Sequence, residues 1–368
     1  MQKKLKRILT LCLCALLAVI PLSGVKESFA VQNIEKSAMV KSIGLDREDG
    51  AQLSFVTSVL NDSAAFHEQS LISAAGENFS QAEQQAQILA DKYLTFSYAK
   101  HYLIGLPSAE RGIASIVEYL LSSPVVQLSS YLYLCEGAAK QMLESISRDS
   151  ISTNEVLTNL NLAGKEEGYY NPVSLLECAR ALEEGTCFAL PVIGAKEEGE
   201  NTAKKTVLVF KGYALLQGGR VCARLNREQS RAMNLLGEKP MKTVVSCKGA
   251  DLAIEREHCR VEFVRQGAQI ARVRFHLTLR ESLAAVQSEA AGGEALLRET
   301  APQAEQILLE QLQELFTLLE RAKADALGLQ QALEIESGGK ERQLQPVAGG
   351  IKAEVEFSAR EDNHFNLQ

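Results

Sequence analysis

Residues 206–225 read TVLVFKGYALLQGGRVCARL. From Thr206 to Leu216 the side chains are mostly β-branched, aromatic or aliphatic, the composition of a buried strand. Gln217-Gly218-Gly219 gives the backbone freedom for a tight reversal, and Arg220–Leu225 returns as the second arm of a β-hairpin. Asn226 then stands at the N-cap of a helix that runs through Leu236.

Towards the C-terminus the pattern predicts strands at Lys242–Lys248, Asp251–Glu257, Arg260–Val264 and Gln269–Glu281. A helix over Glu294–Ala326 carries Ile307, Leu308, Leu312, Leu315, Leu318 and Leu319 at helical period, a stripe expected to lie on the last sheet. Pro302 fits a first helical turn, so this helix is expected to begin near it. A last strand is expected at Gly350–Phe357.

Towards the N-terminus the polar run Ala195–Asn201 has no apolar period and reads as a linker or exposed loop. Before it come helical pieces at Ser152–Leu160 and Ser174–Glu183 and the strand Cys187–Ile193. The first block offers strands at Ser37–Leu45, Ala51–Leu60, Leu71–Ala75, Tyr98–Leu106 and Gln127–Cys135. Ser80 and Glu83 form a capping-box signature for one helix, Ser108 opens a second through Leu121, and a third covers Ala138–Ser147. The expected fold class is α+β. It comprises an N-terminal α/β domain (31–150), a middle, mainly helical domain (151–200) and a C-terminal α/β domain (201–368) with its long helix on the last sheet.

The chain opens with the basic cluster MQKKLKR, the apolar run Ile8–Val25 and the small-residue stretch Ser28-Phe29-Ala30. That order is an export signal, cut after Ala30 or retained as an anchor. Loss of residues 1–30 removes Lys3, Lys4, Lys6, Arg7, Lys26 and Glu27 and takes the formal charge from -7 to -11. So acidic a body argues against nucleic acid as a partner.

Six cysteines follow the signal: Cys135, Cys178, Cys187, Cys222, Cys247 and Cys259. Mostly free thiols are expected. Cys247 and Cys259 are offset across their strands, and Cys178 with Cys187, separated by a helix end, is the better-placed pair. No CxxC, HExxH or paired His/Cys spacing points to a metal, and no cofactor is expected. His101 sits in an apolar strand with no nucleophile and acid arrayed around it, so it reads as a hydrogen-bonded core or edge residue. Glu166-Glu167 and Glu183-Glu184 read as solvated faces, and no catalytic residue is assigned.

Four landmarks, in this order, resemble the Ger(x)C family, the C subunit of the germinant receptors of endospore-forming bacteria. They are Ile43-Gly44-Leu45-Asp46, His101–Gly105 with Arg111-Gly112-Ile113, Leu208–Leu216 with Leu225-Asn226, and Lys323–Leu329. The resemblance implies a non-enzymatic ectodomain at the outer face of the cytoplasmic membrane. There it would assemble with the membrane-embedded A and B subunits of a receptor for small germinants. Members carry a lipobox cysteine, whereas Leu22-Ser23-Gly24 is followed here by Val25, so no lipidation is expected. Asp325 and Gly328 are read as a helix end, and Leu327 and Leu329 as the edge of a partner-binding surface. The alternative is a secreted solute-binding or adhesive module on the same fold.

Overall fold

The computed structural model describes residues 36–361 apart from 48–49, 61–65, 69–70, 148–152, 168–169, 199–204, 238, 240, 268, 287–292 and 340–351. The expected export signal, Val25 included, lies outside the described residues.

The chain begins with strands β1 (Ser37–Arg47), β2 (Ala51–Leu60), β3 (Phe66–Glu68) and β4 (Ile72–Gly76), then helix α1 (Phe79–Leu89). Next come β5 (Tyr93–Thr95), β6 (His101–Gly105), helices α2 (Leu106–Arg111) and α3 (Ala114–Ser122), β7 (Tyr131–Cys135), and helices α4 (Ala139–Ser147) and α5 (Thr153–Glu167). The middle of the chain gives β8 (Val173–Ser174), α6 (Leu175–Glu184), β9 (Phe188–Glu198), β10 (Lys205–Gln217), β11 (Arg220–Arg224) and α7 (Arg227–Leu236). The rest forms β12 (Met241–Cys247), β13 (Ala250–Gln266), β14 (Gln269–Val286), α8 (Gly293–Ala322), α9 (Leu329–Glu336) and β15 (Lys352–Glu361).

These strands make two sheets. The first runs β11-β10-β9-β7-β6-β1-β2-β3, with β4 beside β2, β5 beside β1 and β8 beside β7. Its centre, β1, β6, β7 and β9, is parallel, and its flanks are antiparallel. The second sheet runs β12-β13-β14-β15, antiparallel except for the last pair. The fold is therefore α+β with two sheets, as expected.

The hairpin read first in the sequence is β10 and β11, with Ala214 opposite Arg224 and Gln217 opposite Arg220. Strand β10 also pairs along its length with β9, from Lys205↔Glu198 to Leu216↔Phe188. Ala195–Glu198, expected in a linker, thus belong to a strand; residues 199–201 of that run lie outside the described residues. Strands from all three expected blocks share the first sheet, so the divisions placed at 150 and 200 do not coincide with its edges. Backbone pairing across the polar run decided this, and hydropathy carries no sign of it.

Alternate side chains of the central strands enter different cores, as the period of two requires. Tyr102, Ile104, Leu132, Leu134, Leu190, Val192, Ala214 and Leu216 face one core. It is covered by α1, α3 and α6 through Ala86, Ile116, Leu120, Leu175 and Cys178. Leu103, Tyr133, Cys135 and Ile193 face a second, under Leu143 of α4 and Leu157 of α5. Phe210, Tyr213 and Leu215 of β10 join a third core with the second sheet and α8. In that core Leu297, Ala301, Ala304, Leu308, Leu312, Leu315 and Leu319 are buried at spacings of three and four, and Phe316 stacks on Phe275 with ring centres 5.5 Å apart.

Local signals were read less accurately. Asn78, not Ser80, caps α1, its side chain accepting from the Gln81 N–H at 3.0 Å. The helix expected from Ser108 to Leu121 is two, broken at Gly112, whose φ of 121° leaves the helical region. Pro302 lies inside α8 rather than at its start. The strands expected at Asp251–Glu257 and Arg260–Val264 are one, β13, with a bulge between Arg256 and His258.

Candidate functional site

The first sequence landmark ends in Asp46, which is 3% exposed at the C-terminal end of β1. Its carboxylate accepts from the backbone N–H of Ala139 at 2.8 Å and of Lys140 at 2.9 Å, the first residues of α4. A carboxylate there satisfies donors that the helix cannot and meets the positive end of its dipole. Gly105 makes room, since a Cβ at that position would stand 2.3 Å from the Asp46 Oδ1. The motif is thus structural: the end of β1 fixes the helix that follows β7.

His101 of the second landmark is 1% exposed and hydrogen-bonded on both nitrogens. The Thr158 hydroxyl gives its proton to the Asn154 carbonyl at 2.7 Å, so it accepts from the His101 Nε2–H at 3.2 Å. Nδ1 then accepts from the Tyr133 hydroxyl at 3.1 Å. Burial, aided by nearby Lys100, lowers the imidazole pKa to about 4 and keeps it neutral. This is the bonded core histidine that the sequence pointed to.

A groove of about 930 Å³ lies between the two sheets, bounded by the end of α7, the middle of β13 and α9. Leu327 lines it, with Val173, Ala189 and Leu236 among the other apolar walls and Ile335, 74% exposed, at its rim. Leu327 and Leu329 are both half-buried and packed against the third core. Between them Gly328 takes φ 66°, and the Asp325 carboxylate accepts from the N–H of Leu329 at 2.8 Å and of Gln330 at 2.9 Å. Asp325 and Gly328 therefore start a helix, α9, as well as follow one; eight residues of weak period gave the sequence reading no sign of it.

Several polar groups of its wall are engaged within the fold. Buried Arg256 donates to the carbonyls of Asn234 at 3.3 Å, Leu235 at 3.1 Å and Lys239, holding the negative end of α7. Tyr213 Oη donates to Asn234 Oδ1 at 3.0 Å and accepts the Asn171 N–H at 2.6 Å. The groove thus offers apolar area beside polar groups that already serve other partners. Sequence reasoning missed it because its walls come from β8, β9, β10, α7, β13 and α9, which no local pattern connects.

The described cysteines are thiols. Cys178 is buried in the first core while Cys187 packs on the third, so the sheet stands between the pair judged better placed in the sequence. The thiol neighbouring Cys187 is Cys222. Among the described residues no group of three or more His, Cys, Asp or Glu side chains is placed to hold a metal ion. No helix among them is long and apolar enough to cross a membrane.

Fold and groove define a two-sheet α+β protein with a groove walled in part by fold-forming residues. Residues 31–195 match the family model of the spore germination protein N-terminal domain. The match spans the landmarks at Asp46 and His101. Among solved structures it is similar to one described as the crystal structure of the GerBC protein. The TM-score is 0.48 and the identity 12%, over 86% of this chain and 96% of that one. No curated protein sequence matches it.

Proposed function

We propose that this protein is a C subunit of a spore germinant receptor, a non-enzymatic ectodomain on the outer face of the cytoplasmic membrane. The observation that carries the reading is the spore germination domain over residues 31–195. It would assemble with the membrane-embedded A and B subunits, held by them or by a retained signal, since Val25 stands where acylation needs a cysteine. Leu327 and Leu329 are the proposed edge of the partner surface, because one lines the groove and both keep part of their area in solvent. Binding would bury that area and favour the receptor conformation that presents it.

The test is co-purification from detergent-solubilised spore membranes. The tagged parent should bring down two membrane subunits, and Leu327→Ser with Leu329→Ser should lose them. Leu333→Ala, at a fully buried core position of α9, is expected to cost about 3 kcal/mol of stability yet retain the partners below its unfolding temperature. Equal recovery with the double variant would refute the partner edge, and absence of any membrane subunit would refute the assembly. The groove itself favours a second reading, a solute-binding module. Saturable calorimetric heats with a small molecule, abolished by Ile335→Arg, would support it.

A further inference from the structure

Parallel β1, β6 and β7 all begin at one edge of the first sheet, and there the chain turns repeatedly. Helix α1 ends there, β5 starts beside Ser37, the short turn Phe96–Tyr98 leads into β6, and the segment after α3 leads into β7. These turns leave Leu89, Tyr93, Tyr98, Val125, Leu128 and Leu176 between 45% and 63% exposed. They form one connected rim: the Gln127 amide donates to the Ser97 carbonyl at 2.8 Å, and the Leu176 N–H to the Leu128 carbonyl at 3.0 Å. Away from this edge, the exposed large apolar side chains among the described residues are Leu162, Val244 and Ile335. Leu121–Ser130, LSSPVVQLSS, contains no charge, whereas Lys36 and Lys100 are exposed around it and the Lys41 ammonium lies 5.1 Å from the Tyr98 ring centre. At this apolar edge of an otherwise acidic protein Lys36, Lys41 and Lys100 outnumber the exposed carboxylates, Asp91 and Glu177, and Glu177 is paired with Lys239. The described chain also enters here, at Lys36, eleven positions after the apolar run that ends at Val25.

We propose that this edge is a lipid-docking surface for an anionic phospholipid bilayer, a proposal that rests on the membrane-associated reading above. Tyr93 and Tyr98 suit headgroup depth, Val125 and Leu128 would reach the acyl boundary, and the lysines would face lipid phosphates. The orientation follows: β1, β6 and β7 stand on the membrane by their N-terminal ends, with Asp46 and Gly105 at the far side of the sheet.

The sequence contains no tryptophan, so a single introduced indole reports its own position. Full-length Tyr98→Trp and Leu128→Trp would be compared with Val244→Trp and Ile335→Trp, all at exposed sites. Vesicles of phosphatidylglycerol and phosphatidylcholine with brominated acyl chains serve as quencher, and an unchanged circular dichroism melt confirms each fold. Indoles at 98 and 128 should shift to the blue and be quenched several-fold more than those at 244 and 335. Flotation with the vesicles but no excess quenching at 98 and 128 would overturn the docking edge, leave the membrane reading standing and favour a protein partner there. Failure of the parent to float would also overturn the docking edge, and would leave attachment through the A and B subunits to the co-purification.

Discussion

Asp46→Ala removes two charge-assisted acceptors from the buried start of α4, where Ala139 is fully buried. Loss of a helix N-cap costs about 1 kcal/mol, and a buried donor left without an acceptor costs about 1–3 kcal/mol. The sum expected is about 3 kcal/mol, or about 4 °C in the melting temperature of a chain this size. Asp46→Asn keeps one acceptor but turns an amide N–H towards a backbone N–H, so it should fall between the parent and Asp46→Ala. Urea unfolding gives the free energies, and hydrogen exchange locates the effect: amides of the first turn of α4 should lose protection, while those of α8 keep theirs. A loss below about 0.5 kcal/mol, the range of ordinary surface changes, or one with α4 protection unchanged, would refute the capping role of this motif.

Three further outcomes are expected. At Gly212 φ is 128° and a Cβ would stand 1.9 Å from the Leu225 carbonyl oxygen, so Gly212→Ala should destabilise by about 3 kcal/mol or more; a urea midpoint within error of the parent would contradict the hairpin geometry. His101 has a folded pKa of about 4 against 6.5 unfolded. Between those values the unfolded state binds more protons, so stability is complete above pH 6.5 and falls with pH by roughly 3 kcal/mol at pH 4. His101→Gln should flatten that part of the pH profile, and an unchanged slope would show that other groups set it. Alkylation without reduction should modify exposed Cys222 before buried Cys178, and a peptide joining Cys178 to Cys187 would contradict their placement on opposite faces of the sheet.

What the sequence disclosed were the features written locally. The hairpin at 206–225 follows from its apolar run and glycines, α8 from leucines at helical spacing, and the hydrogen-bonded, non-catalytic reading of His101 as a core or edge residue from its apolar strand. Reading failed where the deciding contact is distant in sequence. Asp46 caps a helix 93 positions away, and the groove gathers six elements. At the start of α1 two residues compete for one cap, and Asn78 prevails because burial of Phe79, Ala82 and Ala86 sets the helix phase. Leu327 and Leu329 were correctly seen as leaving the long helix, but their half-burial depends on α9 folding back onto the third core.

Strand β10 gives Ala214 and Leu216 to one core and Tyr213 and Leu215 to another. It acts mechanically as a shared beam. Neither body can lose its packing without stripping support from the other, so heat or denaturant should melt both in one transition rather than two. For the same reason a load on the second sheet, such as a partner pulling at the groove, would pass along β10 into the parallel strands instead of being absorbed at a hinge.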